Sequence, residues 1–247
     1  MRRCTKNWIK TALLLAILTQ QGFAADKAQI TKEIRAIMSK APKGKSYEKE
    51  FKEILAIGPS AVPSLIDIFK DGRVDWNDRW IAGMALGRHR TPESRKALEK
   101  GLKDSFPTIR MGAAKALGYM GDLSAAPTLR KALSDEAMVV RSSVALALGQ
   151  LKDTNSVDQL SDELMAKRNF NQGKSFWVRE DILDALGMIA DERALPALQE
   201  ALKEKEKNIV LKACAALTKV TPKGAKSVSH PTGPKCAASW QAWFNKQ

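Results

Sequence analysis

The sequence is poor in the residues that enzymes commonly use for acid–base chemistry. Histidine occurs only twice in 247 residues, as His89 and His230, and neither lies in a metal-ligand spacing such as His-Glu-x-x-His. The chain shows no organised Ser-His-Asp or Cys-His cluster, no strand pattern and no glycine-rich loop after a strand. The sequence therefore predicts a protein that is not an enzyme, with no catalytic residues, no metal site, no cofactor and no bound nucleotide.

Aromatic residues are also scarce, at 6% of the chain, whereas aliphatic residues and alanine dominate its apolar part. This composition favours packed helices over a β-sandwich, because strands are enriched in aromatic and β-branched residues. A chain of this length can form one large domain, two small ones or a solenoid of several repeats. Composition alone predicts helices and leaves the architecture open.

Long apolar runs are missing as well. The apolar run near the N-terminus, Ala12–Leu18, is far short of the ~20 residues that span a bilayer. It follows four basic residues and precedes Gly22-Phe23-Ala24, which offers small residues at both positions that a signal peptidase reads. Residues 1–24 are therefore predicted to be a signal peptide, and the mature protein is expected to be periplasmic or secreted, without a transmembrane segment.

The charge balance is strongly basic. The formal net charge is +14, and removal of residues 1–24, with four basic and no acidic residues, leaves 14 − 4 = +10. In a cytosolic protein such a charge would suggest nucleic acid as the partner. For a protein outside the cytoplasm, an anionic surface, an acidic polysaccharide or an acidic protein is a more accessible partner than nucleic acid.

Only two of the three cysteines remain after the predicted cleavage, Cys214 and Cys236. An even pair in an exported chain is a candidate disulfide. The alternative is that Cys214, at a small-residue position of a helix, is a buried thiol.

One helical pattern, clearest in Phe106–Asp122, recurs along the chain. It has an Arg in its first turn, small residues on one face and Gly118 at its predicted end. Its Ala-Leu-Gly core returns in steps of 31, 31, 38 and 31 residues, counting a degenerate last copy; the copies begin at Ala85, Ala116, Ala147, Ala185 and Ala216. An Arg precedes each of the first four Leu residues by seven positions, and these four residues are Arg79, Arg110, Arg141 and Arg179.

Each copy is followed by a turn and a second helix. Asp122, Asp153 and Asp191 occupy one turn position, where a side-chain oxygen can cap the next helix. Proline occupies a shared slot in the first turn of several second helices, at Pro63, Pro127 and Pro196.

The pattern Asp104…Ile109-Arg110…Ala116-Leu117-Gly118 resembles the HEAT-like repeats of the phycobilin-lyase type. The resemblance covers residues 47–218 and implies an all-α, right-handed α-solenoid of about six helix-turn-helix repeats. It also implies that the Arg ladder (Arg79, Arg110, Arg141 and Arg179) locks neighbouring repeats through Asp or carbonyl partners. The alternative is that the ladder forms a track for an anionic polymer.

The two ends differ from the repeats. Residues 25–46 are expected to form a capping helix and a linker, and residues 219–247 a basic loop followed by a helix over Ala237–Asn245. This last helix carries Trp240 and Trp243 on one face and is interpreted as a hydrophobic cap, with a docking helix for another protein as the alternative.

The register breaks at two junctions, Asp71–Asp78 and Lys167–Phe176, both between a second helix and the next first helix. Insertions in repeat proteins map to loops on one side, so we expect binding there. Aromatic and cationic side chains at these junctions can hold a peptide or a sugar by stacking and charge. The candidate binding residues are Trp76, Trp80, Lys167, Arg168, Phe170, Lys174, Phe176 and Trp177. The alternative for Trp80 and Trp177 is that they pack within their own helices.

These features predict a non-catalytic, exported scaffold that binds a partner protein through the solenoid surface and the aromatic junctions. A second hypothesis is binding of an anionic glycan or another polyanion through the basic surface. A third, an enzyme, requires His89 to converge with acids in a cleft. The His-Glu dyads of the iron-binding hydroxylases built on related repeats are absent from the sequence.

Overall fold

A computed structural model describes residues 26–40, 47–220, 228–229 and 231–246. The predicted signal peptide lies outside these residues. A first helix, α1, covers residues 26–38. The other helices are α2 (Glu48–Ala56), α3 (Val62–Lys70), α4 (Trp76–His89), α5 (Pro92–Gly101), α6 (Pro107–Met120), α7 (Ala126–Ala132), α8 (Met138–Leu151), α9 (Val157–Met165), α10 (Val178–Ile189), α11 (Leu195–Ala201), α12 (Lys207–Val220) and α13 (Cys236–Phe244).

The helices form a solenoid of two layers. The first helices of the repeats, α4, α6, α8, α10 and α12, pack side by side along the stack, and the second helices, α5, α7, α9 and α11, cover them on one side. Neighbouring first helices contact each other extensively, whereas neighbouring second helices contact each other little. A stack with one layer more closely spaced bends toward that layer, so we infer that the first helices line the concave side. None of the helices in the described ranges has the length and apolarity needed to cross a membrane.

The Ala-Leu-Gly motif explains the close approach of the first helices. A Cβ added at Gly87 would lie 2.7 Å from the backbone oxygen of Ala116, and one added at Gly149 would lie 2.8 Å from the Cα of Ala185. The glycine of one repeat therefore abuts the alanine of the next. The prediction that Gly118 ends its helix is wrong: α6 continues to Met120, because this glycine serves helix packing and not termination.

Gly149→Ala should destabilise the protein by about 1–3 kcal/mol through overpacking against Ala185, although alanine normally favours a helix by about 1 kcal/mol over glycine. Urea unfolding of the variant measures the effect. Gly72→Ala is the matched control, because a Cβ there meets nothing within 4 Å and the unfolding midpoint should not move. An equally stable Gly149→Ala variant would contradict the packing role.

Helices α4, α6, α8 and α10 end three residues after the motif Leu, and the next residue turns into the left-handed region. Gly121 has φ +72°, and the same position is taken by Arg90, Lys152 and Ala190 with φ between 53° and 58°. Left-handed residues are usually glycine because they carry no Cβ. Three of the first helices are followed by a left-handed residue that is not glycine. The sequence therefore gives no glycine signal at these positions, and the helix end is predicted too early.

The turn aspartates differ among themselves. Asp122 accepts a hydrogen bond from the Ser124 N–H at 2.9 Å, and Asp191 accepts one from the Arg193 N–H at 3.0 Å. Asp153 makes no cap hydrogen bond, so the capping prediction is wrong there. Its buried carboxylate pairs with Arg130 of the preceding second helix at 2.6 Å instead.

Both ends of the solenoid are covered. Ile34, Ile37 and Met38 of α1 are buried at the N-terminal end. At the other end, Trp240 of α13 is fully buried, and its Nε1–H donates to the Pro231 carbonyl at 2.8 Å. A disulfide joins Cys214 of α12 to Cys236 of α13.

The longer register break contains a small hairpin. Strands β1 (Phe170–Asn171) and β2 (Lys174–Ser175) pair antiparallel across a turn in which Gln172 and Gly173 have positive φ. The sequence predicted a loop here, because two-residue strands are too short to show an alternating pattern. This hairpin is a local exception in an otherwise helical solenoid.

Candidate functional site

The Arg ladder is buried between repeats. Arg79 pairs with Asp104, and its Nε–H donates to the Phe69 carbonyl at 2.9 Å. Arg110 forms a bidentate salt bridge with Asp135, with N–O distances of 2.7 and 2.9 Å. These hydrogen bonds to Asp135 raise the pKa of Arg110. Each acid follows its Arg by 25 residues and so belongs to the segment just before the next first helix.

The other two ladder residues follow the same principle with different partners. Arg179 pairs with Glu204, again 25 residues on, and its Nε–H donates to the Leu164 carbonyl at 2.7 Å. Arg141 has no acid at that spacing, because the inserted segment begins there. It donates to the Asn169 side chain at 2.8 Å and pairs with the buried Glu163 at 3.2 Å.

The acids of the ladder also fix the next helix. Asp104 accepts from the Phe106 N–H at 2.9 Å, and Asp135 accepts from the Ala137 N–H at 2.8 Å. One carboxylate thus binds the Arg of one repeat and the first turn of the following repeat. The four ladder residues are only 2%, 7%, 3% and 0% exposed, in chain order. The guanidinium groups are therefore engaged inside the protein and do not form an exposed cationic track.

Exposed apolar side chains lie where the first helices begin. Trp76 is 54% exposed at the start of α4, and Trp177 is 46% exposed just before α10. Phe106, the residue before α6, is 52% exposed. Since the first helices are stacked in parallel, these residues lie on one edge, which we call the aromatic edge (Trp76, Phe106 and Trp177). Phe106 is not among the binding residues predicted from the sequence, although it lies at the start of a first helix as Trp76 does.

The other predicted aromatic residues are mostly packed. Trp80 is partly buried, and its Nε1–H donates to the Tyr47 hydroxyl at 2.7 Å. Phe170 in the hairpin lies under the Arg179 guanidinium, with the ring centroid 4.2 Å from Cζ. Phe176 packs against the core. The structure therefore gives these three residues contacts inside the protein.

The predicted cations at the second junction are exposed. Lys167 and Lys174 lie at the surface, and Arg168 pairs with Glu163. Arg168 also lines a cleft of about 280 Å³ between α7 and α9, whose other lining residues are Arg130, Leu133, Ser134, Gln159, Asp162, Glu163 and Ala166. Both arginines of the cleft pair with carboxylates, so the cleft offers no unpaired guanidinium group to an anion.

A second surface, which sequence analysis did not identify, is the open side of the first helices. Its side chains stand one, five and nine positions after the ladder residue and are incompletely buried in most repeats. We call this surface the first-helix face; in α4, α6, α8 and α10 it comprises Trp80, Met84, Arg88, Met111, Lys115, Tyr119, Ser142, Leu146, Gln150, Glu180, Asp184 and Met188. Lys115 lies over the Trp80 ring and Arg88 over the Tyr119 ring, so side chains of adjacent repeats meet across it.

Asp181 borders this face and is half-buried. Its carboxylate accepts a hydrogen bond from the Ser142 hydroxyl of α8 at 2.6 Å. Burial is the main cause that raises the pKa of Asp181 above its ordinary value of 3.8, and the charge of Asp184 adds to the shift. The folded state therefore retains the Asp181 proton to a higher pH than the unfolded state does.

Asp181→Asn should stabilise the protein at pH 7 by about 0.5 kcal/mol, because it removes a half-buried charge and can still accept from Ser142. A raised carboxyl pKa opposes folding once pH exceeds 3.8, so the gain should fade as pH approaches that value. Urea midpoints across this pH range measure it. Asp184→Asn is the control and should bring no gain, because it removes an ion pair with Lys212.

The structure places His89 at the end of α4. Its Nε2 is buried without a hydrogen-bond partner, and burial lowers its pKa. His230 lies outside the described residues. Within the described part of the chain, no three His, Cys, Asp or Glu side chains come together as a metal-binding group.

Comparison with known proteins agrees with this architecture. The profile of the HEAT repeats matches residues 62–149 and 101–171, and that of the PBS lyase HEAT-like repeat matches residues 178–204. None of the curated proteins compared with the chain matches it.

Solved structures give the same picture. The complex of CpcE and CpcF of phycocyanin lyase from Nostoc sp. PCC7120 is similar at 26% identity and a TM-score of 0.57. The alignment covers 65% of this chain and 65% of that one, so the chain spans just under two thirds of the relative's length. A designed armadillo repeat protein in complex with the peptide (KR)4 is 16% identical, with 76% and 91% coverage and a TM-score of 0.50. Another designed armadillo repeat protein is 16% identical, with 77% and 93% coverage and a TM-score of 0.49.

Proposed function

We propose that this chain, which belongs to the HEAT-repeat proteins of the PBS lyase HEAT-like type, is a non-catalytic scaffold that binds a partner protein. A repeat solenoid of this kind is typical of protein-binding scaffolds. The partner contacts the solenoid at the aromatic edge and on the first-helix face beside it. Trp76 and Trp177 keep their predicted binding role, and Phe106, which was not predicted, is added to them.

The strongest support for this proposal is the exposure of large aromatic side chains along one edge of an otherwise well-packed solenoid. Exposed Trp and Phe side chains provide much contact area at small entropic cost, and such residues dominate the energetics of protein interfaces. Trp76, Phe106 and Trp177 are each about half exposed, whereas Trp240 is fully buried. The aromatic edge therefore has apolar area free for a partner.

The burial of the Arg ladder weighs against a polyanion as the main ligand. Four arginines that could have formed a cationic track are paired with acids or carbonyl oxygens. The surface lysines still give the protein a basic character, so binding of an anionic glycan is the alternative that salt dependence tests.

We further propose that the protein acts in the bacterial envelope. The support is the N-terminal pattern of four basic residues, a short apolar run and Gly22-Phe23-Ala24. The disulfide between Cys214 and Cys236 fits an oxidising compartment. Mass spectrometry of the mature N-terminus tests this: cleavage after Ala24 supports export, and an intact N-terminus in the cytoplasmic fraction contradicts it.

The experiment that tests the scaffold is crosslinked capture from the cell envelope fraction, with the partners identified by mass. Trp76→Ala/Trp177→Ala should weaken binding of the captured protein by at least about tenfold, because each truncation removes a large apolar contact. Leu123→Ala is the matched control: Leu123 is 54% exposed but lies in the turn after α6, at the other end of the first helices. Equal losses in both variants, or none in either, would contradict binding at the aromatic edge.

A further inference from the structure

The first-helix face has an uneven distribution of charge. On α4 and α6 its charged residues are Arg88 and Lys115, both basic. On α8 the corresponding positions are the uncharged Ser142, Leu146 and Gln150. The face therefore begins with a basic band and continues across an uncharged helix.

The next helix, α10, carries the opposite charge. Glu180 and Asp184 lie on the face and Asp181 borders it, within little more than one turn. Lys212 of α12 pairs with Asp184, and Asn208 donates to Glu180 at 3.4 Å. Lys212 therefore pairs with one of the three carboxylates, whereas Lys219, the residue of α12 at the same position as Arg88 in α4, lies beside Gly187 nearer the end of α10. An acidic band remains in the first half of α10, two helices away from Lys115 of α6.

We propose that the first-helix face binds one polypeptide segment of the partner, with acidic residues of the segment against Arg88 and Lys115 and basic residues against Glu180 and Asp184. This rests on the proposed function, because it takes the ligand to be a protein. It adds the chemistry of the segment that is recognised. Charge complementarity of this kind fixes the orientation and register of a partner.

The spacing of the bands sets the length of the segment. Packed helices lie about 10 Å apart, so the two steps from α6 to α10 span about 20 Å. An extended chain advances about 3.3 Å per residue, so about six residues separate the acidic from the basic part. Leu146 on α8 lies under this spacer, which is therefore neutral or apolar. Met84, Met111 and Met188 on the neighbouring helices offer adaptable apolar contacts.

A ligand of one charge sign fits this face poorly. A polyanion that reached Arg88 and Lys115 would place further negative charge against Glu180 and Asp184. A polycation would meet the reverse problem at the basic band. Like-charge contact excludes wrong ligands, so the face selects a segment with both signs in separate blocks.

The test uses labelled synthetic peptides and fluorescence anisotropy. One peptide carries a Glu block, a neutral spacer of about six residues and a Lys block, and the other has the same composition with Glu and Lys alternating. The block peptide should bind at least about tenfold more tightly than the alternating one. Equal affinity for both peptides would overturn the proposal.

Charge reversal makes the test specific. Arg88→Glu/Lys115→Glu should weaken binding of the block peptide by about tenfold. The addition of Glu180→Lys/Asp184→Lys should restore it, because the bands are exchanged, the net charge returns and the peptide can bind with its chain direction reversed. Lys96→Glu/Lys131→Glu, at exposed positions of second helices, makes the same charge change elsewhere and should leave binding unchanged.

Peptide binding and partner capture can fail independently of each other. If the four-residue exchange stays as weak as the double variant while circular dichroism shows a folded protein, the segment proposal is wrong. An equal loss in the Lys96→Glu/Lys131→Glu control would contradict it too. In either case, edge-dependent capture of a partner protein by the wild type would leave the scaffold function intact.

Discussion

Arg179→Ala should lower the free energy of unfolding by about 3–5 kcal/mol, which is the usual cost of removing one partner of a buried ion pair. Arg179 is fully buried and links three elements: the end of α9 through the Leu164 carbonyl, the hairpin through Ser175 and Phe170, and the segment before α12 through Glu204. Its removal leaves the Leu164 carbonyl and Glu204 without their main partner. Urea unfolding followed by circular dichroism measures the loss.

Two further variants make the Arg179 result specific. Arg179→Lys keeps the positive charge, but a single ammonium group cannot form a bidentate salt bridge with Glu204 and also donate to the Leu164 carbonyl. Its loss of unfolding free energy should therefore be smaller than that of Arg179→Ala. Arg193→Ala removes an exposed arginine that pairs with Asp191 and should leave the urea midpoint nearly unchanged. If Arg179→Ala were as stable as Arg193→Ala, the ladder would not hold the repeats together.

Loss of the disulfide should be the second large effect. Cys214→Ala/Cys236→Ala removes a cross-link between residues 22 positions apart, and a loop of this length corresponds to about 3 kcal/mol by the chain-entropy estimate. Because repeat proteins unfold unit by unit, we expect the loss at the C-terminal end first. Hydrogen exchange should show α13 opening while α6 and α8 stay protected.

The reduced wild-type protein serves as a control for the cysteine variant. It should show the same accelerated exchange in α13, since it lacks the same bond but keeps the thiols. Unchanged exchange in both samples would mean that the burial of Trp240 alone holds the cap in place.

The sequence pattern was sufficient to predict the solenoid because the repeats share their spacing. Ala116-Leu117-Gly118 and its copies encode close helix contact, a property that each repeat needs in the same way. The helix ends were harder to predict, since Lys152 and Ala190 adopt a left-handed conformation that those residue types do not indicate. The pairing of Arg141 with Glu163 could not be predicted either, because the insertion removes the acid that follows the other ladder residues by 25 positions.

The candidate site could be predicted only in part. Exposure of Trp76 follows from the register break beside it, but Phe106 stands in a regular repeat and gives no such signal. The first-helix face depends on which side of each helix the second helices leave open. That requires the packing of Lys115 on Trp80 and of Ser142 on Asp181 to be known, and neither contact follows from spacing along the chain.

Salt dependence distinguishes apolar binding of a partner protein at the aromatic edge from binding of a polyanion. We expect the affinity of the captured partner to drop by at least about tenfold with Trp76→Ala/Trp177→Ala at both low and high salt, because salt does not screen apolar contact at the aromatic edge. The charged bands of the first-helix face should add only a moderate salt dependence. A steep fall with salt, together with full affinity in that variant, would contradict binding at the aromatic edge and identify the protein as a polyanion binder.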